Sequence, residues 1–375
     1  MKKAHLAVVG VLLLAVVLGW VYFASSLGNH QSGMMSTADT QKYMQSMMGV
    51  KTSDQLPLKT AADQKPLTPT VKDGVKEFTL AAKPIRWQYA SGKTITAWAY
   101  NGQIPGPEIR VIEGDKVKIT LTNKLPKETT IHWHGLNVPN SMDGVPGVTQ
   151  DAIKSGASFS YEFTATPAGT HFYHTHGSGH EDEAQQMDMG LSGAFIIEPK
   201  NYQKPDKEYT LVLDDWQKSG SDFNMSMQDM GMDHAMSMNY NLFTMNGLAF
   251  PDTKALEVKK GDKVRIRLIN ASSSTTHPMH LHGHQFKVVA EDGNEVPPAQ
   301  QRTRNTIALN PGETYDIEIA ADNPGIWAFH CHELHHAGSG MVTLFKYDGY
   351  SANSPAGDQD DMQMEDGMMD HSTHH

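Results

Sequence analysis

EGDKVKITLTN at residues 113–123 returns as KGDKVRIRLIN at residues 260–270. Each copy alternates apolar and polar residues behind a Gly-Asp turn signal, the pattern of a half-buried β-strand. Two further matches follow in the same order: HWHG at 132–135 with HLHG at 280–283, and GTHFYHTH at 169–176 with GIWAFHCH at 325–332. The offset is about 150 residues each time. Three ordered matches predict two homologous β-sandwiches. Around them run short alternating strands, among them KEFTLAA, TITAWAY and SFSYEFTA, then YTLVLDDW and MVTLFKYDG, with IIEPKNYQKPDKE as the linker between copies.

A chain of 375 residues is expected to hold about two domains, and 39 % apolar residues with 32 Gly and 19 Pro suits β-rich globular ones. Its net charge of −11 offers no concentrated basic stripe and argues against a nucleic-acid partner. One cysteine excludes a disulfide framework. Two lysines precede the apolar run Leu6–Ala24, long enough as a helix to span about 28 Å. Residues 1–26 are therefore read as a signal peptide or, with a slight lean, an uncleaved membrane anchor. Either exports the protein, to the periplasm or the outer face of a membrane. Residues 27–74 read as a polar stalk, 75–200 and 205–349 as the two β domains, and 350–375 as a disordered Met/His-rich tail.

Four histidine pairs share the spacing H-x-H: His132/His134, His174/His176, His280/His282 and His330/His332. On a strand, residues i and i+2 lie on one face about 6.5–7 Å apart, so a pair can reach two neighbouring metal ions or share one. A single pair is weak evidence. Two per domain at equivalent places point to metal, and imidazole alone leaves Cu, Zn, Fe and Ni open.

Cys331 narrows the choice. On its strand it should point opposite to His330 and His332, into its own domain. His277, His336 and Met341 complete the thiolate, two imidazoles and thioether of a blue-copper electron-transfer site.

YNGQIPGPEIRVIEGD, HWHGLNVPNSMDGVPGVTQ, HFYHTH, HPMHLHGH and HCHELHHAGSGM together resemble the multicopper oxidases, over about residues 95–347. The resemblance implies two tandem cupredoxin-like Greek-key sandwiches and four copper ions per subunit. A type 1 copper would be held by His277, Cys331, His336 and Met341, and a type 2 copper by His132 and His280. The type 3 pair would use His134, His174 and His332 on one ion, and His176, His282 and His330 on the other. Electrons would enter at the type 1 copper and pass through Cys331 to the three-copper cluster, where O2 is reduced to water. Asp143 matches the family position for supplying protons; the plain alternative is an Asp-Gly turn. Thr175 stands in the first domain where Cys331 stands in the second, so no type 1 copper is expected there. The loop AGSG lacks the carboxylate many members carry after the type 1 histidine. Having two domains instead of three, the chain resembles the two-domain laccase-like group, which implies a head-to-tail homotrimer with each cluster between subunits.

Methionines number 22, and six fall within NMSMQDMGMDHAMSM at 224–238. Soft thioethers in polar windows favour cuprous ion, so copper handling is expected, either with Cu(I) as the reducing substrate or as copper capture for tolerance, and phenol oxidation remains open at the same site. The competing readings are a copper nitrite reductase and a non-catalytic copper-binding protein. The first keeps its type 1 site in the first domain, and the second has no need of eight cluster histidines.

Overall fold

The repeated stretch builds the same strand twice. Lys116–Asn123 runs parallel to Val75–Ala90 on one side and antiparallel to Ser158–Thr164 on the other. Lys263–Asn270 runs parallel to Lys207–Trp216 and antiparallel to Thr314–Ala320. The signature residues explain themselves. Asp115 and Asp262 close the preceding turns by accepting from the Ile112 and Lys259 amides at 2.7 and 2.8 Å. Asn123 and Asn270 end the strands: the Asn123 amide donates to Lys127 and Ile153 carbonyls, and that of Asn270 to Thr275 and Leu309 carbonyls.

This computed structural model describes residues 55–218 and 240–351. The apolar segment Leu6–Ala24, the methionine window 224–238 and the acidic tail lie outside the described residues. No helix among the described residues is long and apolar enough to cross a membrane.

Each copy closes with a second sheet of matching topology. In the first, Ile131–His134 pairs antiparallel with Gly169–Thr175, which pairs with Ser192–Glu198, itself parallel to Gly106–Ile112. In the second, His277–Leu281 pairs with Ile326–Cys331, which pairs with Val342–Tyr347, itself parallel to Leu256–Val258. The first core gathers on Trp133, whose ring lies 5.2 Å from those of Tyr161 and Phe163 and 5.9 Å from that of Phe195. Emptying a site of that size costs about 3–5 kcal/mol.

The folded part begins earlier than the sequence pattern suggested. Residues 58–72, read as the end of the stalk, belong to the first sandwich. Leu58–Lys59 pairs with the strand at Arg86 and Trp87, a capping box at Thr60 and Asp63 opens the 3-10 turn Ala61–Asp63, and Thr70–Lys72 forms a hairpin with Val75–Glu77. These pieces are short, polar and at a sheet edge, where the pairing partner rather than an apolar period makes the strand.

The two sandwiches meet through Phe172, Ala194 and Ile196 of the first and Val212, Ile269 and Ala271 of the second. Beside this seam Arg267 is buried between Glu208 at 2.9 Å and Asp316 at 2.7 Å, and Asp316 also accepts from Thr170 of the first sandwich. Removing one partner of such a buried pair typically costs about 3–5 kcal/mol.

Candidate metal centres

Strand alternation sorts the ligands. Ile131 and Trp133 are buried in the first core, so His132 and His134 project from the opposite face; Met279 and Leu281 do the same for His280 and His282. Strand pairing then sets His132 opposite His174, and His280 opposite His330. The result is one histidine quartet on each sandwich. Ring centroids in the first lie 5.3 Å apart for His132–His174 and 6.3 Å for His132–His176; in the second, 4.8 Å for His280–His282 and 5.5 Å for His280–His332.

Within the quartets the outer nitrogens are already engaged. The Nδ1 atoms of His132, His174, His280 and His330 face the carbonyls of Asp143, Thr175, Asn305 and Cys331 at 2.7–2.9 Å. Each such contact orients the ring and leaves Nε2 for a metal. His134 instead turns Nδ1 to within 3.3 Å of His174 Nε2, and the ligand atoms of His132, His134 and His174 lie within 4.8 Å of one another. Burial, aided by His132 and His171, lowers His134 to about 4, and burial also holds His174 well below the usual histidine range and lowers His330. Imidazoles kept neutral are the form that binds metal. The Asp143 carboxylate comes within 3.3 Å of His132 Nδ1. Its Asp-Gly turn is real as well: Gly144 has φ +88°, and a Cβ there would meet the Ile131 carbonyl.

Cys331 faces the other way. It is fully buried in the second core, with Sγ 3.8 Å from His277 Nδ1 and 3.5 Å from His336 Nδ1. The short helix α2 (Leu334–Gly338) delivers His336, which stacks on Phe243 at 4.1 Å. Gly340, at φ +123°, lets the chain return so closely that a Cβ would sit 2.7 Å from the Phe243 carbonyl. Met341 follows, fully buried, and its carbonyl accepts from the Cys331 amide at 3.1 Å. Burial pushes the Cys331 thiol up to about 12. A cation held between these atoms would reverse that and bind the thiolate. A soft sulfur and two imidazoles converge here, with Met341 buried in the same core, a donor set that fits copper.

Asp215 was not evident in the sequence. It is completely buried, with Oδ1 2.9 Å from His277 Nε2 and Oδ2 accepting from Ser272 Oγ at 2.7 Å. A carboxylate behind a ligating imidazole orients the ring and raises its basicity. The only sequence signal was the doubled acid in an otherwise apolar strand, LVLDDW. Asp215→Asn keeps the volume and removes the charge. It should weaken cupric ion at the Cys331 site roughly tenfold or more, read by chelator competition on the visible band, with the histidine quartets unaffected. An unchanged competition curve would make Asp215 a packing residue only.

The first sandwich has the same pocket with other contents. Thr129 lies three residues before His132 as His277 lies before His280, and Thr175 takes the place of Cys331. The Thr175 amide donates to the Leu191 carbonyl at 3.0 Å, as that of Cys331 does to Met341. The two hydroxyls lie 2.6 Å apart, and Thr175 donates to Gln186 Oε1 at 2.8 Å. Gln186 is carried by helix α1 (His180–Asp188) and is fully buried. Two hydroxyls, an amide and Leu191 thus stand where the second sandwich has the His277 imidazole, the Cys331 thiol, the His336 imidazole and Met341.

Multicopper oxidase family models match residues 81–202 and 222–349. The chain is similar to the crystal structure of a blue copper oxidase from Nitrosomonas europaea, with a TM-score of 0.63 and 34 % identity over 73 % of this chain and 86 % of that one. A probable nitrite reductase–hydroxylamine oxidoreductase fusion protein of Kuenenia stuttgartiensis is 32 % identical over 74 % of this chain and 32 % of its own length. Copper resistance protein A of Pseudomonas syringae pv. tomato is 29 % identical over 76 % of this chain and 52 % of its own. The chain thus spans about a third to a half of the length of these two curated relatives. Both halves of the chain are matched in the order of its internal repeat, each sandwich presents a histidine quartet, and the second adds the cysteine site described above: the chain belongs to the multicopper oxidase family.

Proposed function

We propose that the protein couples one-electron oxidation of a small reductant to reduction of O2 to water. The observation that carries this reading is the pair of back-to-back sites on one strand, Cys331 facing into the core and His330 facing out. When bound, copper would supply one-electron transfer at the Cys331 site and four-electron reduction of O2 at the quartets, which call for four ions per chain, one of type 1, one of type 2 and two of type 3. His277, Cys331, His336 and Met341 would hold the first of these. His132 and His280 would hold the type 2 ion, and His134, His174 and His332 with His176, His282 and His330 the type 3 pair. The covalent path between the sites is only the backbone of residues 330–332. Asp143, with its carboxylate 3.3 Å from His132 Nδ1, is read as the residue that would supply protons beside the type 2 position.

The two quartets supply four imidazoles each, and His132 and His176 keep 24 % and 17 % of their side-chain surface open. Each is therefore read as half of a cluster that a second copy completes, in a homotrimer. The substrate read from the 22 methionines is cuprous ion, which gives one electron and leaves as cupric ion, in the service of copper tolerance. A nitrite-reducing role would require the thiolate site in the first sandwich, where Thr175 stands.

The test is a copper count and absorption spectrum on the copper-loaded protein, with oxygen uptake driven by cuprous ion and by a phenol. About four coppers per chain, a blue band and a near-ultraviolet shoulder are expected, with faster uptake on cuprous ion. One copper per chain and no oxygen uptake would make this a binding or electron-transfer protein.

A further inference from the structure

The stretch HGSGHEDE, residues 176–183, follows the strand Gly169–Thr175 and begins α1. Gly177 permits this: a Cβ there would lie 2.5 Å from the Glu183 amide nitrogen, so only glycine lets the first helical turn fold against the strand end. The fold sets Glu183 Oε2 3.2 Å from His176 Nε2 and 3.8 Å from His180 Nδ1. His176 Nδ1 faces the Gly177 carbonyl at 3.3 Å, so Nε2 is the nitrogen presented to the carboxylate.

The support is rigid on one side and open on the other. Lys127 bonds Asp182 at 2.9 Å and Gln185 at 2.8 Å, and Gln186 bonds Asp182 and the Glu128 carbonyl, which pins the start of α1. Glu183 is thereby held facing the quartet, in the first helical turn where a carboxylate charge is favoured. The His180 ring, by contrast, is fully exposed at 101 %, so packing restricts none of its rotamers.

We propose that His180, Glu183 and His176 form a copper-capture site on the rim of the first quartet. It takes a cupric ion from solution on two imidazoles and a carboxylate, and passes it to the quartet through the shared His176. This donor set binds cupric ion more strongly than other divalent first-row metals. A hard, exposed oxygen and nitrogen site gives the ion up to a site richer in imidazole. The proposal rests on the reading that the quartets hold copper. No electron moves in the transfer, and the carboxylate offsets the charge of the arriving ion.

The test is the rate at which cupric ion enters copper-free, full-length protein, followed by the near-ultraviolet shoulder, together with the final copper count. His180→Ala removes a fully exposed side chain whose one ionic contact is the Glu183 carboxylate at 3.8 Å, so the fold should be kept, and Glu183→Gln keeps the shape of the carboxylate. Each should fill the quartets roughly tenfold more slowly than wild type and reach the same final count. Unchanged filling in both variants would overturn the proposal. A lower final count with Glu183→Gln would overturn it too, since the carboxylate would then belong to the permanent site. Wild-type protein that takes copper only at Cys331 would remove the quartet reading itself, and this inference with it.

Discussion

Cys331→Ser should abolish the blue band and leave oxygen uptake with an external donor undetectable, while the copper count falls only from about four to about three per chain. The serine hydroxyl is a hard donor and cannot give the intense thiolate band or the electronic path to His330 and His332. Those histidines leave the opposite face of the strand, and their ring orientations come from backbone carbonyls and neighbouring rings, none of which Ser changes. A buried hydroxyl between His277 and His336 would still find a hydrogen-bond partner, so the cost in stability should be about 1 kcal/mol. The measurements are an absorption spectrum, a metal analysis and a thermal melt on one preparation. A retained blue band would refute the assignment of Cys331 as ligand. Loss of all copper would mean that the two sites do not fold independently.

Mixing two inactive variants should restore activity. His132→Ala/His134→Ala removes half of the first quartet and His280→Ala/His282→Ala half of the second. If clusters form between copies in a head-to-tail ring, random exchange at equal amounts gives about a quarter of the interfaces an intact first face against an intact second face. About a quarter of wild-type oxygen uptake should return. In each productive interface the second face comes from a chain with all of its Cys331-site ligands, so electron delivery is complete. Exchange is checked by mass spectrometry of differently labelled chains. No recovery after proven exchange would place each cluster within one chain.

Local patterns reached most of the architecture. The Gly-Asp turn, the alternating strand and the closing Asn occur twice because each is satisfied by hydrogen bonds within a few residues or to the neighbouring strand. The H-x-H spacing is informative for the same reason, since period two puts both rings on one face whatever the fold. Short edge strands escaped. At Leu58–Lys59 and Thr70–Lys72 nothing in the residues marks a strand, and the partner strand decides.

The sequence by itself determined that there are two copies, that each offers four histidines on the face opposite its core, and that only the second has a thiolate, because residue identity and strand period suffice for each. The tertiary structure alone decided what stands around those ligands. Asp215 reaches His277 from 62 positions earlier in the chain, Gln186 fills the first pocket beside Thr129 and Thr175, and Glu183 turns back on His176 across a glycine turn. Each of these contacts depends on how a loop or a neighbouring strand returns, and spacing along a chain carries no record of that path.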